Sequence, residues 1–155
     1  MDTSEIDNAL QHIVGFQGTK ASNSLPEQFE KPAFFVVNTQ RWDERGEHWV
    51  VMHFLLNNAA EYFDPFGLPA LLSDHEQYLK RHATRYVYNS TTLQSPYTSS
   101  CGLFCIMFVR LRAAGHTYAD IVELFTTNLP RNERMLRFLL RPTTLLAKHG
   151  LKNGI

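Results

Sequence analysis

The chain has 155 residues, 44% hydrophobic and 19% charged, which suits one globular domain with a real core and excludes a disordered chain. Fifteen basic and fifteen acidic side chains cancel to a formal charge of +0, so there is no general electrostatic case for nucleic-acid or membrane binding, and DNA remains open only through a local basic patch. No apolar run reaches the roughly 18 to 20 residues of a membrane span, and Met1-Asp2-Thr3-Ser4-Glu5 lacks the basic start and apolar stretch of a signal peptide, so a soluble, intracellular protein is expected.

In chain order, Ile6, Leu10, Ile13 and Val14 recur near helical spacing and predict a helix over 3–14. Gly15, Gly18, Pro26 and Pro32 among Ser and Asn predict a loop over 15–32. Ala33 to Val37 reads as a buried strand and Arg41 to Glu47 as a charged turn. His48 to Leu56 reads as a strand, with Glu61 to Phe63 returning beside it as a hairpin. Asp64-Pro65-Phe66-Gly67 ends that strand, because proline cannot donate to a ladder. Residues 70–82 read as helix, Arg85 to Tyr88 as a strand and Gln94 to Ser100 as a polar loop. From Cys101 to about Ala113 the apolar side chains cover most of a helix circumference, which requires burial. Helices at about 117–127 and 131–141 follow, closed by Pro142. Without an internal repeat or linker, strands between helical blocks give one α+β domain over 1–155, its sheet packed on the central helix.

Two cysteines, Cys101 and Cys105, lie four apart on that helix, a spacing that favours one helix face over a loop-closing disulfide. A cysteine nucleophile needs its thiolate, and the thiol pKa falls at a helix N-terminus beside a histidine. Cys101 opens the helix, Ser99 and Ser100 are natural N-caps, and Gly102 lets the backbone approach a ligand. Cys105, one turn further in, reads as a small core hydrophobe. His48 begins a strand after a polar turn and is expected to be partly exposed, with Trp49 as a flat wall beside it. A carboxylate at Asp64 would orient its imidazole. That pairing carries a register condition: a two-residue turn at Asn57-Asn58 sets His48 and Asp64 on opposite faces, whereas a three-residue loop or a bulge sets them on the same face. No CxxC or HxxxH pair accompanies the cysteines, so no zinc site is expected.

Ser99-Ser100-Cys101-Gly102-Leu103-Phe104-Cys105 resembles the nucleophile motif of the adenovirus protease (adenain) family. Val37-Asn38-Thr39 followed by Gly46-Glu47-His48-Trp49 resembles its histidine segment. Asp64-Pro65-Phe66-Gly67 is similar to its acidic motif, with Asp in place of Glu, and Gln94 resembles its oxyanion glutamine. The order His, acid, Gln, Cys also matches the SUMO-specific proteases, whereas papain places Gln and Cys first. The resemblance spans about residues 33–108. It implies the adenain-like fold, a mixed central sheet packed on a buried nucleophile helix with flanking helices. It also implies a cysteine endopeptidase with Cys101 as nucleophile, His48 as base, Asp64 orienting it and Gln94 in the oxyanion hole; Trp49 and Gly102 are expected to line the substrate, and no cofactor is expected. The implied substrate is a capsid-type precursor cut at small or Gly-containing sites, in a virion or host nucleus. The alternative is a ubiquitin-like conjugate cut after Gly-Gly. The chain is shorter than adenain and has no third cysteine, so a disulfide-tethered peptide cofactor does not transfer, and a non-covalent peptide activator remains compatible.

Overall fold

The computed structural model describes residues 1–44 and 48–142. Five strands form one sheet in the order β1 (Phe16–Lys20), β2 (Ala33–Asn38), β3 (Trp49–Phe54), β4 (Ala59–Phe63), β5 (Arg85–Tyr88). The inner three run antiparallel, while β1 pairs parallel with β2 and β5 parallel with β4. This is the mixed sheet of the expected α+β class. Five helices complete it: α1 (Thr3–Leu10), α2 (Ser73–His82), α3 (Cys101–Ala113), α4 (Tyr118–Val122) and α5 (Leu129–Leu139).

Residues on β2, β3 and β4 alternate between two cores, as a pleated strand buried on both faces must. Phe34, Val36, Val51 and Phe63 face α3, while Phe35, Val37, Val50, Met52 and Tyr62 pack with Tyr78 and Leu79 of α2. Helix α3 is apolar all round because it is enclosed all round, by β3 on one side and by α1, α4 and α5 on the others. Phe108 of α3 stacks on Phe63 of β4, with ring centroids 4.4 Å apart. Burying such a ring contributes about 1.5–3 kcal/mol, and Phe108→Ala would cost about 3–5 kcal/mol once its cavity is counted.

The structure corrects several of the expected elements. The first helix stops at Leu10 rather than 14, and its start is fixed by a capping box between Asp2 and Glu5. The segment expected as loop over 15–32 contains β1, whose register with β2 shifts between Phe16 and Thr19; Gly18 at φ +95° interrupts the alternation that would have marked a strand. Helix α2 begins at Ser73, and α4 covers only Tyr118–Val122 of the expected 117–127. Ser100 takes the N-cap position of α3, but its hydroxyl makes no capping bond. Helix α5 begins earlier than expected, because Asn128 caps it through the Arg131 N–H (3.0 Å) and Pro130 occupies its first turn. Residues 45–47, the end of the expected charged turn, and 143–155 lie outside the described residues.

Candidate active site

The β3–β4 register decides whether His48 and Asp64 meet. Val51 pairs with Phe63, Met52 with Tyr62, His53 with Glu61 and Phe54 with Ala60. Leu55 N–H donates to Ala59 O (2.9 Å), so the connection is the three residues Leu56-Asn57-Asn58. Asn58 supplies the left-handed conformation this loop needs, at φ 60°. Paired residues therefore share parity, and His48 and Asp64 project to the same side just beyond the last paired residues of the hairpin. His48 Nε2–H donates to Asp64 Oδ1 at 2.6 Å.

Asp64 is fixed from both directions. The same Oδ1 accepts the Phe66 N–H (2.8 Å), and the Asp64 backbone N–H donates to Asn89 Oδ1 (2.9 Å) while Asn89 Nδ2 donates back to Asp64 O. Tyr118 OH holds Asn89 Oδ1 from α4 at 3.3 Å. The turn closes with Gly67 N–H on Asp64 O at 2.8 Å. Gly67 is at φ +73°, and an added Cβ would stand 2.6 Å from the Thr91 backbone, so only glycine fits there.

His48 is buried, not partly exposed as its strand-end position predicts. The reason is Phe66, whose ring stacks on the imidazole at 4.3 Å between centroids and 21° between planes. With Nε2 on Asp64, Nδ1 is the ring nitrogen left for the thiol. Burial is the strongest influence on His48 and pulls its pKa down; hydrogen bonds to Asp64 and then Cys101, with both their charges, outweigh it and raise the pKa to about 9. Cys101, 8% exposed, shifts the other way. Burial pushes its thiol up, but the hydrogen bond and charge of His48 and the backbone N–H groups of Trp49 and Gly102 bring it below the ordinary thiol value. The two shifts run in opposite directions and share a cause, the contact between thiol and imidazole. Cys105, fully buried, is pushed well above the ordinary value by burial, with the nearby Cys101 and Asp64 charges adding.

Gln94 is joined to this group through its backbone: Leu93 and Gln94 N–H both donate to Pro65 O (2.9 and 3.0 Å), inside the turn that carries Asp64. Its side-chain Nε2 donates to Thr98 O at 2.8 Å, and its buried Oε1 has no partner among the described residues. Gly102 lies under Met1: an added Cβ would meet Met1 Sδ at 2.7 Å. Trp49 Nε1–H donates to Met1 O at 3.4 Å. A groove of about 370 Å³ leads away from Trp49 past Met1, Lys20, Asn38 and Arg41. Among the described residues no group of three or more His, Cys, Asp or Glu is placed to hold a metal.

Sequence reasoning missed Phe66 and Asn89. Phe66 was visible only as part of a strand-ending motif, and Asn89, directly after β5, has no local signal at all. It also passed over His53, which binds Glu61 at 2.7 Å, with Arg112 Nε and Nη2 both on that carboxylate.

A family model for the adenovirus endoprotease matches residues 24–122. The protease of equine adenovirus B serotype 2 is 30% identical over 147 residues, covering 74% of this chain and 73% of the relative. The protease of bovine adenovirus 2 is 33% identical over 97 residues, or 52% of this chain and 45% of the relative. That of bovine adenovirus C serotype 10 is 31% identical over 88 residues, with 48% and 45% covered. The chain thus spans about half the length of the bovine adenovirus relatives it matches. In fold it is similar to the crystal structure of the ASFV protease, with a TM-score of 0.51 and 21% identity over 68% of this chain and 42% of that one. A family match over most of the chain, together with a relative aligned along nearly three quarters of both lengths, shows that this chain belongs to the adenovirus endoprotease family.

Proposed function

We propose that this protein is a cysteine endopeptidase with Cys101 as nucleophile. The observation that carries the reading is the buried pair of His48 and Cys101, shifted in opposite directions and anchored on Asp64. The Cys101 thiolate adds to the scissile carbonyl carbon, and the charge moves to the oxygen. The Cys101 N–H and the second Nε2 hydrogen of Gln94, the one not used by Thr98, are the donors for that oxyanion. Collapse breaks the C–N bond while the His48 imidazolium gives its proton to the leaving amine. Water then attacks the thioester with His48 taking its proton, the C–S bond breaks, and the ion pair is restored. Asp64 keeps the imidazole in the productive orientation throughout. Trp49 and Gly102 would border the substrate backbone, with small residues expected beside the cut. Capsid-type precursors are the expected substrates. Neither cysteine is exposed, so any peptide activator binds without a disulfide.

The test is cleavage of a Gly-containing capsid-type peptide beside a diglycyl ubiquitin-like conjugate, with iodoacetamide titration of Cys101 against pH. The expected result is peptide cleavage, and a thiol that alkylates at pH values where an ordinary cysteine is protonated. A Cys101 that reacts only at the pH of a free thiol would remove the ion pair and the reading with it.

A further inference from the structure

We infer that Glu133, on α5, is a positioning residue that fixes the oxyanion loop. This rests on the cysteine-protease reading, and it assigns a role to a helix beyond the family-matched residues 24–122. The segment Gln94–Ser100 carries the oxyanion amide at one end and runs into Cys101 at the other. Apart from Gln94 Nε2 on Thr98 O at 2.8 Å, its internal hydrogen bonds among the described residues are long, with Thr98 N and Oγ1 on Ser95 O at 3.2 and 3.1 Å and Tyr97 N on Ser95 Oγ at 3.2 Å. Tyr97, at its tip, is 96% exposed. The loop does not hold itself.

Two adjacent residues of α5 grip it instead. Asn132, fully buried, donates from Nδ2 to Leu93 O (3.1 Å) and is locked by Thr126, whose N–H it accepts at 2.9 Å. Glu133 accepts the Thr98 hydroxyl on Oε1 (2.9 Å) and the Ser100 hydroxyl on Oε2 (2.8 Å). Hydrogen bonds to an ionised acceptor are the stronger kind. Both branches lead to the chemistry. Thr98, held by one carboxylate oxygen, presents its carbonyl to Gln94 Nε2. Ser100, held by the other, donates its hydroxyl proton to Glu133; it makes no capping bond, its backbone lying at φ −87° and ψ 1° rather than in the extended region of a capping serine. The Ser100–Cys101 peptide carries the Cys101 N–H, so fixing Ser100 fixes the direction of that donor. One carboxylate thus sets both donors of the oxyanion site.

The experiment compares E133A and E133Q with the wild-type chain for kcat, KM, thermal stability and the rate of Cys101 alkylation. E133A is expected to lose about 10- to 100-fold in kcat, the scale of a displaced catalytic group, with KM little changed. Alkylation should persist, since it needs the thiolate and no oxyanion donor. E133Q should recover most of the rate, because a hydroxyl can accept from an amide as readily as donate to a carboxylate. The double variant T98V/S100A should match E133A, and adding E133A to it should cost nothing more. Equal kcat in wild type and E133A overturns the inference while leaving the protease reading intact. So does a loss of kcat, alkylation and stability together, the mark of a merely structural residue, or an E133Q as slow as E133A. A wild-type chain that neither cleaves nor alkylates fails at the level of the protease reading, and the inference falls with it.

Discussion

The β3–β4 hairpin carries two buried histidine–carboxylate pairs of nearly the same length, His48–Asp64 at 2.6 Å and His53–Glu61 at 2.7 Å. Each imidazole is stacked against a phenylalanine, Phe66 in the first and Phe34 in the second, where the rings lie 3.9 Å apart and 7° from parallel. What separates them is the third group. Glu61 is closed off by two hydrogen bonds from Arg112, which also donates Nη1 to His116 O. Burial pushes the Glu61 carboxyl up, but His53 and then Arg112 bring it below the usual range. At the other pair the third group is a thiol at a helix start, and the His48 pKa is raised while the Cys101 pKa is lowered. A histidine on a carboxylate is thus no sign of chemistry by itself. The guanidinium ties its pair to the end of α3, whereas the pair beside the thiol is the one we propose as catalytic.

The largest effects should fall at the thiol end. C101A and H48A should each reduce cleavage to the uncatalysed background with the fold intact by circular dichroism, since residues acting as one unit are not additive. D64N comes next, at roughly 10²- to 10⁴-fold in kcat with a smaller change in KM, because orientation of the base matters most in the transition state. The pH profile sharpens this. Activity requires thiolate and imidazolium together, so it rises with pH through the lowered pKa of Cys101 and falls above about 9 as His48 loses its proton. Removing the Asp64 charge takes away the leading influence that opposes burial at His48, so the falling limb of D64N should move to lower pH. A limb that stayed in place would detach Asp64 from the base.

The other pair should answer in stability rather than rate. E61Q leaves Arg112 without a counter-charge in a partly buried position and should cost about 3 kcal/mol, read as a lower urea midpoint, with kcat nearly unchanged. The folded-state pKa of Glu61 lies below its unfolded value, so its contribution is present above the ordinary carboxylate range and is lost as pH falls through the folded value. E61Q should therefore flatten the acid side of the stability profile. An E61Q enzyme as slow as D64N would erase the distinction between the pairs.

Why one pair was legible in the sequence and the other was not follows from locality. Cys101 and its buried helix announced themselves through apolar residues on every face, and His48 through its place after a polar turn. The Asp64 partnership hung on a single parity, that of the loop at Asn57 and Asn58, which sequence states only as a condition and coordinates resolve. Strand β1 was hidden by Gly18 and a register shift, and an edge strand of five residues has few positions with which to show alternation. Asn89, Glu61 with Arg112, and Glu133 all act across more than twenty residues of chain. No window of local periodicity reaches that far. The cap at Ser100 also differs from its residue type's promise, since its backbone is not extended as a capping serine's is and its hydroxyl donates to a carboxylate 33 positions away.

The smallest effect should come from the second cysteine, and it completes the comparison within one helix. Cys105 lies one turn after Cys101, among Phe63, Phe104 and Phe108, with no exposed surface. What distinguishes the two thiols is not the helix dipole alone, which falls off within the first turn, but water and partner: Cys101 has His48, and Cys105 sits in the apolar core. C105A removes one sulfur atom from the core and should cost about 1 kcal/mol of stability, with cleavage close to wild type. Iodoacetamide at neutral pH should label one thiol per chain, and peptide mapping should place it at Cys101. In C101A the same reagent should label nothing until the protein is unfolded, because the Cys105 thiol is held neutral and out of reach. Labelling of Cys105 in the folded chain, or loss of cleavage in C105A without loss of structure, would move the nucleophile one turn along the helix and leave His48 and Asp64 without their third member.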